Sequence, residues 1–115
     1  MTLPRMLPKP KRRDNRIRSQ AHRTWVAKHR CCVPGCNATY CVASHVKVGV
    51  PQRDCAGQSL KSGDNWVWSL CDPHHEEYDA GQEKFCTRYR IDALTLAAEF
   101  WQRSPHRRAA EGRRG

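Results

Sequence analysis

The 115-residue chain contains no run of about eighteen apolar residues, so no segment is long enough to cross a bilayer as a helix. The opening stretch MTLPRMLPKPKRR carries charge but no apolar h-region, which argues against a secretory signal and predicts a cytoplasmic protein. Apolar residues make up only 38% of the chain, and Pro4, Pro8, Pro10 and the terminal Arg/Gly run are unsuited to packing. The foldable part is therefore about eighty to ninety residues, a size at which a metal or disulfide gives useful support to a small core. There is no internal repeat. No Cys-x-x-Cys sits beside a strand–helix–strand pattern, which weighs against a thiol redox protein. Seven cysteines are present, an odd number in a chain without an export signal. That argues for thiolate chemistry over a disulfide framework.

What the chain has in excess is positive charge, +10 in all, placed at its two ends. Residues 1–30 hold ten Lys/Arg against Asp14 alone, +9, and residues 103–115 hold five against Glu111, +4. The middle holds six basic and nine acidic residues, −3. Basic arms around a carboxylate-bearing centre suit a polyanion whose backbone is gripped from the flanks. Lys9, Lys11, Arg12, Arg13, Arg16 and Arg18 are the candidate nucleic-acid contacts, DNA or RNA. The arms lack an amphipathic apolar stripe, so a membrane partner ranks last. The bland reading, tails that only keep the chain soluble, is less consistent with this density.

The division predicted is a disordered basic arm over 1–17, a folded domain over 18–104 and a disordered basic tail over 105–115. A helix follows Ser19 as N-cap, with Ala21, Trp25 and Val26 on its inner side. CCVPGCNATYC is a knuckle, because Pro34-Gly35 forces a reversal between cysteines. VASHVKVGV alternates as a strand ending near Gly49, PQRDCAGQSLKSGD is a polar loop, and NWVWSL is a second strand completing a hairpin. Trp66 and Trp68 read as core residues on one face of it, not as platforms for bases. Helix is predicted from Pro73, broken at Gly81 and resumed around EKFCTRY. A last helix is capped by Asp92, with Leu94, Ala97, Ala98 and Trp101 as its apolar stripe.

Cys32-x3-Cys36 and Cys71-x2-His74 are two short pairs far apart in sequence, the usual way a tetrahedral zinc staples distant segments. Thiolates with one imidazole suit Zn²⁺ over Mg²⁺ or Ca²⁺. Cys31 is the alternative to Cys32, while Cys41, Cys55 and Cys86 read as bystanders, Cys55 as a free thiol. Neighbours on a helix point about 100° apart, so His74 and His75 cannot share one site. With His74 facing zinc, His75 and Asp79, four residues apart, lie on another face and form a candidate site for Mg²⁺, Mn²⁺ or a second Zn²⁺. His45, on the predicted first strand, is a candidate general base if the hairpin brings it across from that pair.

Cys-x3-Cys, SHV and DNWVWSLCDPHH together resemble a zinc-stapled HNH endonuclease of the ββα-metal (His-Me) class. The run from AHRTWVAKHRCCVPGC to FCTRYRIDALTLAAEFWQRSPH is similar to phage and prophage nucleases of the recombination-enhancement-function type, over about Ser19 to His106. The resemblance implies a small α+β fold: a ββα-metal core with structural zinc, flanked by an N-terminal and a C-terminal helix. It implies His45 as general base, His75 as catalytic-ion ligand, and Cys32, Cys36, Cys71 and His74 as zinc ligands. Asn65, or its neighbour Asp64, falls at the position that orients the base or steadies the hairpin loop. Asp79 stands where relatives often have histidine, and Ser44 where many have a metal ligand. The activity implied is metal-dependent hydrolysis of DNA phosphodiesters, with a recombinase filament as a partner the resemblance suggests. The alternative is a zinc-stapled nucleic-acid-binding module without catalysis.

Overall fold

The computed structural model describes residues 16–51, 54–56 and 61–112. The chain is a small α+β structure in which α1 (Gln20–Ala27) precedes β1 (Cys41–His45). Two short strands follow, β2 (Cys55–Ala56) and β3 (Lys61–Ser62), then β4 (Val67–Cys71) and four helices. These are α2 (Asp72–Ala80), α3 (Gln82–Tyr89), α4 (Ala93–Arg103) and α5 (Arg107–Gly112). β1 and β4 pair antiparallel with Cys41 opposite Cys71 and His45 opposite Val67. The connection read as a polar loop contains the small β2–β3 ribbon.

β1 stops at His45 instead of running on to Gly49. Val46 still donates to the Trp66 carbonyl, but the amides of Lys47 and Val48 turn to the Gln82 side chain, and Gly49 has φ +82°. A left-handed residue of that kind breaks a strand. All five residues of β4 are buried, because α1, α2 and α4 pack against it from different sides. Trp68 is fully buried, edge-on to Tyr78 and Phe85 at 5.0 and 6.1 Å between ring centres. Trp66 lies just before the strand, half-buried, with its indole N–H donating to Asp54 Oδ2.

The helix ends follow the sequence closely. The Ser19 hydroxyl accepts from the His22 amide, Asp92 accepts from the Thr95 amide and hydroxyl, and Gly81 divides α2 from α3. The inner faces are rotated from expectation. In α1, His22 and Val26 are buried, Trp25 is half-buried and Ala21 is exposed. In α4, Ala93, Ala97, Phe100 and Trp101 are buried, while Leu94 and Ala98 are half-buried. The aromatic rings set this phase. His22 meets Trp101 edge-on at 4.9 Å and Trp25 meets Phe100 at 6.0 Å, so contacts between rings orient the two helices.

Two corrections concern the boundaries drawn at 17 and 105. Ile17, placed in the basic arm, is buried with Trp101 and Ala110, and its carbonyl accepts from the Asp64 amide at 2.8 Å. Within the segment read as a tail, Arg107–Gly112 forms α5, where Ala110 completes that cluster and Arg107 pairs with Glu111 and Gln102. One isoleucine and one alanine are too sparse to register as periodicity, yet they suffice to seal the open end of α4.

Burial lowers the His22 imidazole to about 4, with Asp64 opposing the shift and His106 adding to it. Its ring is fully buried, with Nδ1 2.8 Å from Ser104 Oγ. Because the folded state holds this group below its unfolded value, stability is full above pH 6.5. It is lost as pH falls toward 4, since the unfolded chain takes up a proton that the folded one refuses. The expected loss is about 3 kcal/mol across that window. His22→Phe should flatten the profile there relative to wild type, as measured by urea unfolding at stepped pH.

Candidate metal centre and the His45 cleft

The knuckle places its sulfurs by backbone geometry. Cys31 N–H donates to the Ala38 carbonyl, Cys36 N–H to the Val33 carbonyl, and Gly35 takes φ +82° at the turn between them. Cys32 N–H bonds the Ser69 carbonyl, which lays this segment beside β4. Successive side chains of an extended segment point opposite ways. Cys31 accordingly turns toward the start of α2, and Cys32 turns to Ser69 Oγ at 3.4 Å. From the other side, Cys71 caps α2 and His74 sits in its first turn.

One ligand atom from each of Cys31, Cys36, Cys71 and His74 lies within 4.8 Å of the others. His74 Nδ1 is 3.4 Å from Cys31 Sγ and 3.1 Å from Cys71 Sγ, and the sulfurs of Cys36 and Cys71 are 3.9 Å apart. Tetrahedral zinc with its usual bond lengths requires edges of about 3.8 Å between sulfurs and about 3.6 Å between sulfur and nitrogen. A disulfide would need about 2.05 Å. The cluster can therefore hold a metal ion such as zinc. Burial pushes the Cys31 thiol up to about 12, against backbone hydrogen bonds from Cys71 and Val33 that lower it. A dication reverses that preference by binding the thiolate. At Cys36 a backbone hydrogen bond from Ala38 already holds the thiol below its ordinary value.

The fourth member of the cluster is thus Cys31, where Cys32 was expected. Cys41 stands opposite Cys71 across the ribbon, its thiol 3.6 Å from the Ala38 carbonyl, and Cys86 lies on α3. The side chain of Cys55 lies outside the described residues.

The two histidines of α2 diverge. His74 faces the cysteines, while His75 Nε2 meets Asp79 Oδ2 at 3.2 Å on a half-exposed face. Among the described residues, the Cys/His cluster is the one group of three or more such donors gathered this closely. His45 is not gathered with His75 and Asp79 into such a group.

His45 belongs to a second constellation. Its Nε2 lies 2.9 Å from Asp64 Oδ1. Asp64 Oδ2 accepts from the Ser19 amide at 2.7 Å and lies 3.2 Å from Arg23 Nε. Burial alone would raise the Asp64 carboxyl. The bonds from His45 and the Ser19 amide, with the Arg23 charge, outweigh it and hold the group below the usual carboxylate range. An ionised carboxylate at Nε2 makes that nitrogen the proton carrier and leaves the Nδ1 lone pair to accept. The partner of His45 is therefore Asp64. Asn65, one residue on, is buried in the Gly63–Trp66 turn, where a Cβ on Gly63 would lie 2.6 Å from its Oδ1. Ser44 points the other way along β1 and is fully buried, so it cannot be a ligand beside His45.

His45 lines a cleft of about 310 Å³ with Arg16, Lys47 and Ser62. Of the six basic residues singled out in the arm, Arg16 reaches this cleft and Arg18 is exposed. Lys9, Lys11, Arg12 and Arg13 lie outside the described residues. Sequence reasoning missed Ser19, Arg23, Lys47, Ser62 and Gln82. Ser19 was legible only as a helix cap, and the others carried no spacing signal.

Fold and site together define a small α+β protein with a three-cysteine, one-histidine cluster that could hold a metal ion and a histidine–aspartate pair in a basic cleft. The chain belongs to the family described as "Protein of unknown function (DUF968)", which matches residues 4–105. No curated protein and no solved structure matches it. No described helix is long and apolar enough to cross a membrane.

Proposed function

We propose that the chain is a zinc-stapled, metal-dependent endonuclease of HNH type that hydrolyses DNA phosphodiesters. The observation that carries this reading is the His45–Asp64 pair, opening on a cleft that also presents Arg16 and Lys47. An imidazole with a carboxylate behind it is a general base, and two cations beside it suit a phosphodiester. In the order β1, β4, α2, the ribbon supplies His45 and the helix supplies His74 and His75. That order supports a ββα-metal core.

Water at His45 Nδ1 gives a proton to that nitrogen as its oxygen attacks phosphorus, and the bond from phosphorus to the 3′ oxygen breaks in line. The imidazolium so formed is stabilised by Asp64, and Arg16 and Lys47 hold the phosphate oxygens. His75 and Asp79 are an imidazole and a carboxylate on one helix face, a donor set suited to Mg²⁺ or Mn²⁺. A divalent ion bound there would stabilise charge developing on the phosphate and the departing oxygen. The basic arm would add backbone contacts that read no sequence.

The test is nicking of supercoiled and single-stranded DNA by purified, zinc-loaded protein, with Mg²⁺ or Mn²⁺ and then with EDTA, beside His45→Ala. Cleavage that needs the ion and is lost in a folded His45→Ala variant is the expected result. DNA binding without cleavage would favour the non-catalytic module, which the exposed two-donor His75–Asp79 pair also fits.

A further inference from the structure

Beyond the base and its carboxylate, we infer that Gln82 is a positioning residue that presents His45 and Lys47 together to the cleft. This rests on the nuclease reading. Where β1 ends, three backbone groups have no strand to pair with, and one side chain from α3 takes all three. Gln82 Oε1 accepts from the amides of Lys47 and Val48 at 3.0 and 3.3 Å, and its Nε2 donates to the His45 carbonyl at 3.2 Å. Two N–H groups need an acceptor and one carbonyl needs a donor, a set that the oxygen and the NH₂ of one primary amide satisfy together. The orientation of the amide follows from the same requirement.

The groups it holds are those that matter to the cleft. His45 and Lys47 are two residues apart, so in extended backbone they share a side, and both line the cleft. Beyond them Gly49 sits at φ +82°, with Leu94 packed so close that a Cβ on Gly49 would meet its Cδ1 at 2.6 Å. The segment between strand end and glycine has no ladder of its own. Gln82 replaces it, anchored at the first residue of α3, whose Phe85 is buried against Trp68 and Tyr78. The imidazole is thus held from both ends: Asp64 fixes the ring and Gln82 fixes the backbone behind it. Loosening either moves the base relative to the phosphate, and a misplacement of about 1 Å can cost about a hundredfold in rate.

The experiment uses the full, zinc-loaded chain as wild type, Gln82→Ala and Gln82→Glu. Amide hydrogen exchange at Lys47 and Val48 reads the clamp without reference to activity, and single-turnover nicking reads its consequence. Gln82→Ala should speed exchange at both amides by about tenfold or more and slow nicking by about tenfold or more. DNA affinity and zinc content should stay within about twofold of wild type. Gln82→Glu keeps the acceptor but offers the His45 carbonyl no donor, so its amides should remain protected while its nicking rate falls between the other two. Wild-type exchange, or a wild-type nicking rate, in Gln82→Ala overturns the inference. If that variant does not fold, a wild-type nicking rate in Gln82→Glu overturns it. Nicking that persists in His45→Ala would sink the nuclease reading instead, a result distinct from any of these.

Discussion

Replacing Cys71 with serine is expected to leave the domain unfolded at room temperature. Cys71 closes β4, caps α2 and supplies a sulfur to the cluster with Cys31, Cys36 and His74. Binding of structural zinc contributes on the order of 10 kcal/mol to folding, as much as the whole net stability of a typical domain. Losing one thiolate therefore removes more than the small core can replace. Chelation should act the same way, with loss of cooperative melting when zinc is stripped. The cysteine pair at the knuckle gives the sharper contrast. Cys31→Ser should lose zinc and melt like Cys71→Ser. Cys32→Ser, which gives up only a long contact to Ser69, should keep its zinc and cost about 1 kcal/mol or less. Zinc content by metal analysis and melting by circular dichroism read both effects. A Cys71→Ser variant that stays soluble and melts cooperatively would count heavily against the staple.

Asp64→Asn is the second large effect, on rate more than on folding. The amide leaves one acceptor where two oxygens serve three partners, so either His45 or the Ser19 amide and Arg23 face a donor. Loss of a carboxylate behind a catalytic imidazole removes its tautomer control, and a fall in kcat of about 10²- to 10⁴-fold is expected. KM for DNA should change little, since Asp64 is buried behind the ring. The nitrogen shifts of His45 should move from an Nε2–H tautomer to a mixture, a change that a merely structural role would not produce. Stability should fall by about 2 kcal/mol, the scale of a hydrogen bond to a charged group. Because the folded carboxyl sits below its unfolded value, its contribution is present above the ordinary carboxylate range. It disappears as pH falls through the folded value.

Much of this was written in local patterns. Ser19, Asp92, Pro73 and Gly81 marked helix boundaries because caps and breakers act within a few residues. The pairs around Cys36 and Cys71-x2-His74 marked the cluster because ligand spacing is also local. Cys31 against Cys32 was undecided, since adjacent residues differ only in which way the backbone points them, and Ser69 settles that from thirty-seven residues away. The same holds for Asp64 against Asn65, which Ser19 and Arg23 decide across the fold. Gln82 had no signature at all. A glutamine that replaces a strand ladder is recognisable only once the ladder is seen to end. The burial of Ile17 and Ala110 was hidden for a related reason, because a three-residue cluster drawn from both ends of the chain has no period.

The most direct measurement is chemical rescue of His45→Ala. The variant should retain zinc, fold and DNA affinity, and should nick plasmid in Mg²⁺ or Mn²⁺ at less than about one hundredth of the wild-type rate. Added imidazole should restore cleavage in proportion to its neutral form. A His45→Ala protein that cuts at the wild-type rate without imidazole would contradict the account.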